Sequence, residues 1–382
     1  MNDMRPISQE QGAAEAEREP LEVWSIVTSL TAGGAEILVS NLSGALVARG
    51  ITNRVVALCD AATLGNTIEM EANLAEQITR GGGEFVSLGL SRKRGPLEGA
   101  AALRKMLAQR VPDVIHCHTA RAVAMVALSG FRGSVVLTHH NTRLSFPGYL
   151  FRVFDLIVDR YVAISPELEA IYRKRTKRPI TLIPNAAARE FVTGSPRSAA
   201  HVPCRILSVG AISDQKNYGL VLETAAALRD NYPSLVPPKF SIAGGGQGLE
   251  EFRKRSQDMG LFVDVEFLGE RSDVRDLMSA SDILLNSSTY EGLPIAIIEA
   301  MGMALPIIAT DVAGNRDLVT DGENGLLAPL HDPQGIAAAI GRVIADPALY
   351  QSLSLGAVER SGQFSIDRSA DRHLDLYRTA DR

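Results

Sequence analysis

The chain has 382 residues, 46% of them hydrophobic and 22% charged, with a formal net charge of −5. That length points to two domains and a sizeable core, and the acidic balance excludes a nucleic-acid binder on bulk charge. Three scattered cysteines, Cys59, Cys117 and Cys204, lack metal-knuckle spacing and read as reduced thiols of a cytosolic protein.

Met1 to Pro20 hold no apolar run, which predicts a disordered tail (residues 1–20) and no secretory signal. No stretch reaches the ~18 apolar residues of a membrane span. The nearest, Phe151 to Ile164, is interrupted by Arg152, Asp155, Asp159 and Arg160. The expected location is cytoplasmic.

Short apolar runs then alternate with helical patterns. Val23–Val27, Arg54–Cys59, Phe85–Leu88, Val114–His116, Val135–Thr138, Val162–Ile164 and Thr181–Ile183 read as strands. Helices such as Ala35–Arg49, Leu97–Arg110 and Pro166–Arg175 lie between them. This is the rhythm of a parallel, doubly wound sheet, whose buried strands are Val/Ile/Leu runs. It breaks at 189–203, a segment rich in Gly, Ser, Pro and Ala that suits a linker. It restarts with Arg205–Val209, Phe240–Ala243, Val265–Leu268, Ile283–Asn286, Ile307–Thr310 and Gly325–Ala328. The expected α/β architecture is two Rossmann-like domains, 21–188 and 204–363, facing across a cleft. A last segment, 364–382, is expected to form a helix that crosses back to the first domain. In such sheets the ligand sits beyond the carboxyl ends of the strands.

The most informative stretch is Asn286 to Met303, NSSTYEGLPIAIIEAMGM. A strand ends at Asn286, a polar loop follows, and Pro294 suits the first turn of an apolar helix. The free amides of that helix and its dipole make an anion site suited to a diphosphate. Glu291 stands at its mouth. Glu299 lies one to two turns in, where a carboxylate can accept from the vicinal hydroxyls of a ribose. Taken singly, each could be an ordinary loop or surface glutamate.

Two glutamates separated by seven residues in this context resemble the signature of the retaining GT-B glycosyltransferases of family four. The resemblance spans the chain after the tail. It includes Gly33–Gly34–Ala35–Glu36, Val114–His118, Ile183–Pro184–Asn185, Ser208–Val209–Gly210 with Gln215–Lys216–Asn217, Phe267–Leu268–Gly269, Asp321–Gly322 and Asn324–Gly325–Leu326–Leu327. It implies that Glu299 binds the donor ribose and Glu291 the transferred sugar. Gly292, Leu293, Pro294 and Ile295 would cap sugar and phosphates, and Lys216 would pair with the diphosphate. Asn217 behind Lys216 reads as an N-cap. Gly33 and Gly34 would approach the donor phosphate.

Of Thr138–His139–His140–Asn141, His140 is favoured as the sugar-contacting histidine, with His139 as its rival and His118 a weaker third. Many relatives follow the glycine equivalent to Gly210 with an arginine, and here Ala211 stands in its place. Arg271 and Arg316 are the candidate substitute cations. Gly244–Gly248 has the wrong spacing for a dinucleotide fingerprint. His116–Cys117–His118 is rejected as a metal site, because strand alternation puts Cys117 on the other face.

Basic clusters at Arg92–Lys93–Arg94 with Arg104, Lys105 and Arg110, and at Arg173–Lys174–Arg175 with Lys177 and Arg178, read as solvated faces or as docking points for anionic lipid. The implied reaction is retaining transfer of a hexose from a nucleoside diphosphate sugar to a cell-envelope or exopolysaccharide acceptor carried on lipid. No metal and no cofactor is expected. A sugar-nucleotide epimerase or a non-catalytic sugar-nucleotide-binding subunit would be the alternatives on the same fold.

Overall fold

The computed structural model describes residues 20–64, 67–91, 95–192 and 194–380. Arg92, Lys93 and Arg94 lie outside the described residues, as does the tail to residue 19.

The first sheet holds β1 (Glu22–Val27), β2 (Thr52–Ala57), β3 (Glu84–Ser87), β4 (Val114–Cys117), β5 (Ser134–Thr138), β6 (Arg160–Ala163) and β7 (Ile180–Leu182), in the order 3-2-1-4-5-6-7. The second holds β8 (Arg205–Val209), β9 (Lys239–Ala243), β10 (Val265–Gly269), β11 (Ile283–Asn286), β12 (Ile307–Thr310) and β13 (Gly325–Ala328), in the order 10-9-8-11-12-13. Every pairing is parallel. Helices cover both faces, so strands such as β11 and β12 are buried at every residue. Their continuous apolar runs follow from that.

In each sheet the strand order reverses between the first strand and the fourth, β1 beside β4 and β8 beside β11. A crevice opens at such a switch point. The loops leaving these strands carry Gly33 and Gly34, His118, Lys216, and Glu291 respectively.

The closing helix Ile366–Ala380 packs on the first domain. Ile366, Ala370, Leu374, Leu376 and Tyr377 are buried there with Leu38, Leu42 and Leu46 of the helix Gly34–Val47. Arg49 bonds Asp371 at 2.6 Å and Asp367 at 3.3 Å, and Arg189 reaches Asp367 at 2.9 Å. Ala187 pairs with Ser365 through the backbone. Between the domains, Gly194 donates to the carbonyl of Gly302 at 2.9 Å, and the Arg197 guanidinium serves the carbonyls of Met278, Ser281 and Met303.

Candidate active site

The loop after β8 turns sharply at Gly210 and brings Lys216 back across it; a β-carbon at Gly210 would lie 2.6 Å from Lys216 Cε. Asn217 follows at φ +51°. It holds the N-cap position of the helix Tyr218–Asn231, as expected, although its side chain makes no capping bond. It is at the same time the left-handed residue of the turn, a conformation that asparagine tolerates better than most.

Lys216 Nζ stands 2.6 Å from Glu291 Oε1. The same carboxylate accepts from Ser288 Oγ at 2.7 Å and from Gln215 Nε2 at 3.2 Å. Glu291 is buried, so these three donors substitute for water around its charge. Behind it Pro294 opens the helix Ile295–Gly302, whose first amides face the same crevice.

Glu299 is the fifth residue of that helix and is also buried. Burial pushes its carboxyl up to about 8, and the nearby Glu190 adds to the rise. Among the described residues nothing hydrogen-bonds it.

The first domain meets this surface directly. Thr142 Oγ1 donates to the carbonyl of Glu291 at 3.0 Å, and Asn185 Nδ2 to that of Leu293 at 2.7 Å. Gly292 lies against the His140 carbonyl, where a β-carbon would come within 2.5 Å. Arg143 stacks on the Tyr290 ring at 3.8 Å, and Thr67 Oγ1 bonds Glu270 at 2.6 Å. Gly33 precedes the helix Gly34–Val47, and Gly34 lies against the Ile295 side chain.

The two histidines of the β5 loop part company. His139 Nε2 bonds the Arg143 carbonyl at 3.1 Å and its ring packs edge-on to Phe146, inside the first domain. His140 Nε2 meets His118 Nδ1 at 3.0 Å. His118 stacks in turn near His116, with ring centroids 4.0 Å apart. His116 is held by Thr138 and Tyr377, each at 2.7 Å. Burial pushes His140 down to about 3 and lowers His116 and His118 as well, so the cluster is neutral near pH 7. His118 Nε2, His140 Nδ1 and Asn185 Oδ1 are buried with no hydrogen-bond partner among the described residues.

Two family matches, one in each half of the chain, and a shared fold accompany this geometry. The profile "Glycosyl transferases group 1" matches residues 200–359, and "Glycosyltransferase Family 4" matches residues 32–190. The chain belongs to the GT-B glycosyltransferases of family four. This glycosyltransferase is 28% identical to the lipopolysaccharide core biosynthesis glycosyltransferase LpsE of Rhizobium meliloti (strain 1021), over 90% of the chain and 95% of that relative. It is 32% identical to an Escherichia coli UDP-Gal:alpha-D-GlcNAc-diphosphoundecaprenol alpha-1,3-galactosyltransferase, over 44% of each chain. Its fold is that of HepE of Anabaena, solved in complex with UDP and glucose, with a TM-score of 0.77 at 18% identity over 94% of this chain and 100% of that one.

The two candidate substitute cations of the glycosyltransferase are exposed and engaged elsewhere. Arg271 is forked onto Asp273, and Arg316 bonds Asp311 at 2.8 Å. Ala211 itself is exposed. Of the first basic cluster, Arg104 serves the carbonyls of Leu128 and Ser129, and Arg110 pairs with Glu22 and Glu84. A concavity of about 410 Å³ lined by His201, Arg205, Lys239 and Ser281 lies at the amino ends of the second sheet's strands, opposite Glu291. Among the described residues no group of three His, Cys, Asp or Glu side chains could hold a metal ion.

Sequence reasoning missed the grip of Ser288 and Gln215 on Glu291, the Arg143–Tyr290 stack and Glu36. Burial pushes the Glu36 carboxyl up to about 7, beside Gly33. Glu36, Gln215, Ser288 and Tyr290 lie in stretches already singled out, but no role was attached to them, and Arg143 was signalled only by its nearness to His140.

Proposed function

We propose that this glycosyltransferase moves a hexose from a nucleoside diphosphate sugar, with retained configuration, onto a cell-envelope or exopolysaccharide acceptor carried on lipid. The observation that carries the reading is the Lys216–Glu291 pair at the amino end of the helix Ile295–Gly302, with Glu299 buried further along it. Lys216 and the free amides of that helix supply fixed positive charge where a leaving diphosphate develops negative charge. Glu299, which has no hydrogen-bond partner for its carboxyl among the described residues, accepts from the ribose hydroxyls. Glu291 contacts the transferred sugar, and Gly292 to Ile295 line the sugar and phosphates. Gly33 and Gly34 close over the phosphates from the first domain. His140 is neutral, so it acts as a hydrogen-bonding group to the sugar rather than as an acid.

The acceptor class draws support from the relatives. LpsE is named for lipopolysaccharide core biosynthesis, and the E. coli relative for a diphosphoundecaprenol-linked acceptor. HepE was solved with UDP and glucose, which favours a uridine donor. Among the described residues no helix is long and apolar enough to cross a membrane. A lipid-carried acceptor would then be met by peripheral contact with an anionic membrane from the cytoplasmic side.

A thermal-shift screen over nucleotide sugars tests the donor. A true donor at about 100 times its Kd should stabilise the protein by about 2.7 kcal/mol. No shift with any nucleotide sugar would overturn the donor reading. The anomeric signal of the transferred sugar in the NMR spectrum tests retention.

A further inference from the structure

After the β5 loop the chain runs through the turn Gly148–Leu150 and the short helix Phe151–Phe154. Side chains of this segment divide sharply. Phe151 and Phe154 point inward and pack on Phe146, Tyr161 and Tyr172. Tyr149, Val153 and Leu156 stand outward, 70%, 48% and 82% exposed. Scattered surface leucines are ordinary, but three large apolar groups on one protruding turn are not.

The second basic cluster lies beside this turn. A β-carbon at Gly148 would sit 3.2 Å from Arg175 Nε. Thr176 Oγ1 bonds Asp155 Oδ1 at 2.7 Å, and Arg178 Nε bonds the Asp155 carbonyl at 2.9 Å. The rings of Phe151 and Tyr172 are 5.4 Å apart. The apolar turn and the basic run therefore form one surface. Two of the nearby acids are engaged within the fold: Asp155 accepts from the hydroxyls of Tyr161 and Thr176, and Asp159 from the Val135 amide, while Glu167 is exposed at the start of the helix Pro166–Arg173. Glu169 faces outward and pairs with Arg173. Arg152, Lys174, Arg175 and Lys177 remain exposed with no carboxylate partner among the described residues. This positive face belongs to a chain of net charge −5.

We infer that this face docks on an anionic phospholipid bilayer. Tyr149, Val153 and Leu156 enter the headgroup boundary, and Arg152, Arg173, Lys174, Arg175 and Lys177 sit on the lipid phosphates. Charge alone would give a contact that salt abolishes, and three apolar groups alone would give a marginal one. Stable, reversible attachment takes both signals together. Tyrosine favours the boundary because its ring is apolar and its hydroxyl stays wet. The loop His140–Phe146 joins this face to the catalytic crevice, so docking holds the acceptor side of the enzyme against the membrane. The inference rests on the reading of a lipid-carried acceptor and names the surface that meets the lipid.

The experiment is flotation of the full chain with phosphatidylcholine vesicles, alone or with a quarter phosphatidylglycerol, at low salt and at 1 M salt. Wild type should float with the anionic vesicles and lose part of that binding in high salt. The triple variant Tyr149→Ser, Val153→Ser, Leu156→Ser should bind about tenfold more weakly and lose the salt-resistant part. The variant Lys174→Glu, Lys177→Glu should lose the salt-sensitive part. Both variants should keep the wild-type thermal shift with nucleotide sugar, which shows that they fold. Wild type failing to float, or an apolar variant floating like wild type, overturns the proposal. A triple variant that instead dissociates a wild-type dimer on gel filtration overturns it too, because the face is then a self-interface. The acceptor reading is tested apart from the surface, by transfer to a detergent-solubilised polyprenyl diphosphate saccharide. Transfer without vesicle binding sinks only the docking face. Vesicle binding without transfer to any lipid-linked saccharide sinks only the acceptor reading.

Discussion

Lys216 Nζ lies 2.6 Å from Glu291 Oε1, joining two loops that are 75 residues apart in the chain. Glu291 is 6% exposed, so its charge depends on Lys216, Ser288 and Gln215. A diphosphate arriving at this corner shares the lysine with Glu291. Lys216→Ala should lower nucleoside diphosphate affinity and turnover together. A lost charge-assisted bond costs roughly 1.5–3 kcal/mol, about tenfold to a hundredfold in kcat/KM. Steady-state kinetics with wild-type kcat and KM would remove Lys216 from the site.

Ala211 leaves the loop after β8 with an exposed methyl group, next to the turn that carries Lys216. Arg271 and Arg316 are occupied by Asp273 and Asp311 on the surface. Ala211→Arg should fold normally and tighten donor binding by restoring a second cation. Calorimetry decides: weaker binding in the variant would mean that another group already fills that space.

The β-strands were legible because a parallel strand covered on both faces has no polar alternation to hide it; Ile283–Asn286 and Ile307–Thr310 are examples. The helix behind Glu291 was legible from Pro294 and the apolar run after it. The contacts that complete the site were not. Gln215 and Ser288 reach one carboxylate from different loops, and nothing local to either residue encodes that meeting. Asn217 was legible as the N-cap position, but not as a left-handed residue without a capping bond, because that conformation comes with the crossing of Lys216 over Gly210. The exposure of Leu156 was hidden for a similar reason: its segment is an apolar run broken by single charges, and only packing shows which side chains turn outward.

Glu299 gives a pH signature. Burial raises its carboxyl to about 8, whereas the unfolded chain ionises it near the ordinary value of 4.5. The native state therefore holds a proton that the unfolded state releases between these values, and stability falls as pH rises through that window. The loss assigned to Glu299 between about pH 6 and pH 8 is roughly 2 kcal/mol. Glu299→Gln removes it, so the variant should gain on wild type in urea denaturation as pH rises. Glu190→Gln should move the window to lower pH, because Glu190 contributes to the rise. Parallel pH profiles for wild type and Glu299→Gln would show that Glu299 is ionised throughout. Ribose hydroxyls prefer the carboxylate, so nucleotide affinity in wild type should increase over the same range and lose that increase in Glu299→Gln.

The two glutamates should separate in kinetics. Glu299 sits inside the helix Ile295–Gly302, and on the proposed reading it holds the nucleotide in ground state and transition state alike. Its loss should raise KM for donor and weaken the bare nucleoside diphosphate. Glu291 stands at the helix mouth, tied to Lys216, beside the transferred sugar. An interaction that strengthens only as the glycosidic bond breaks appears in kcat, so Glu291→Gln should lower kcat more than it raises KM. Glu291→Gln also frees Lys216 from its carboxylate, which should leave bare nucleotide binding near wild type or somewhat tighter. Gln keeps the side-chain volume in both variants, and Ser288 can still donate to its carbonyl, so folding should change little. Calorimetry with the nucleoside diphosphate, beside steady-state kinetics, makes the comparison. Loss of nucleotide binding in Glu291→Gln together with its retention in Glu299→Gln would reverse the two roles. No effect of either substitution on binding or rate would place the chemistry outside this crevice.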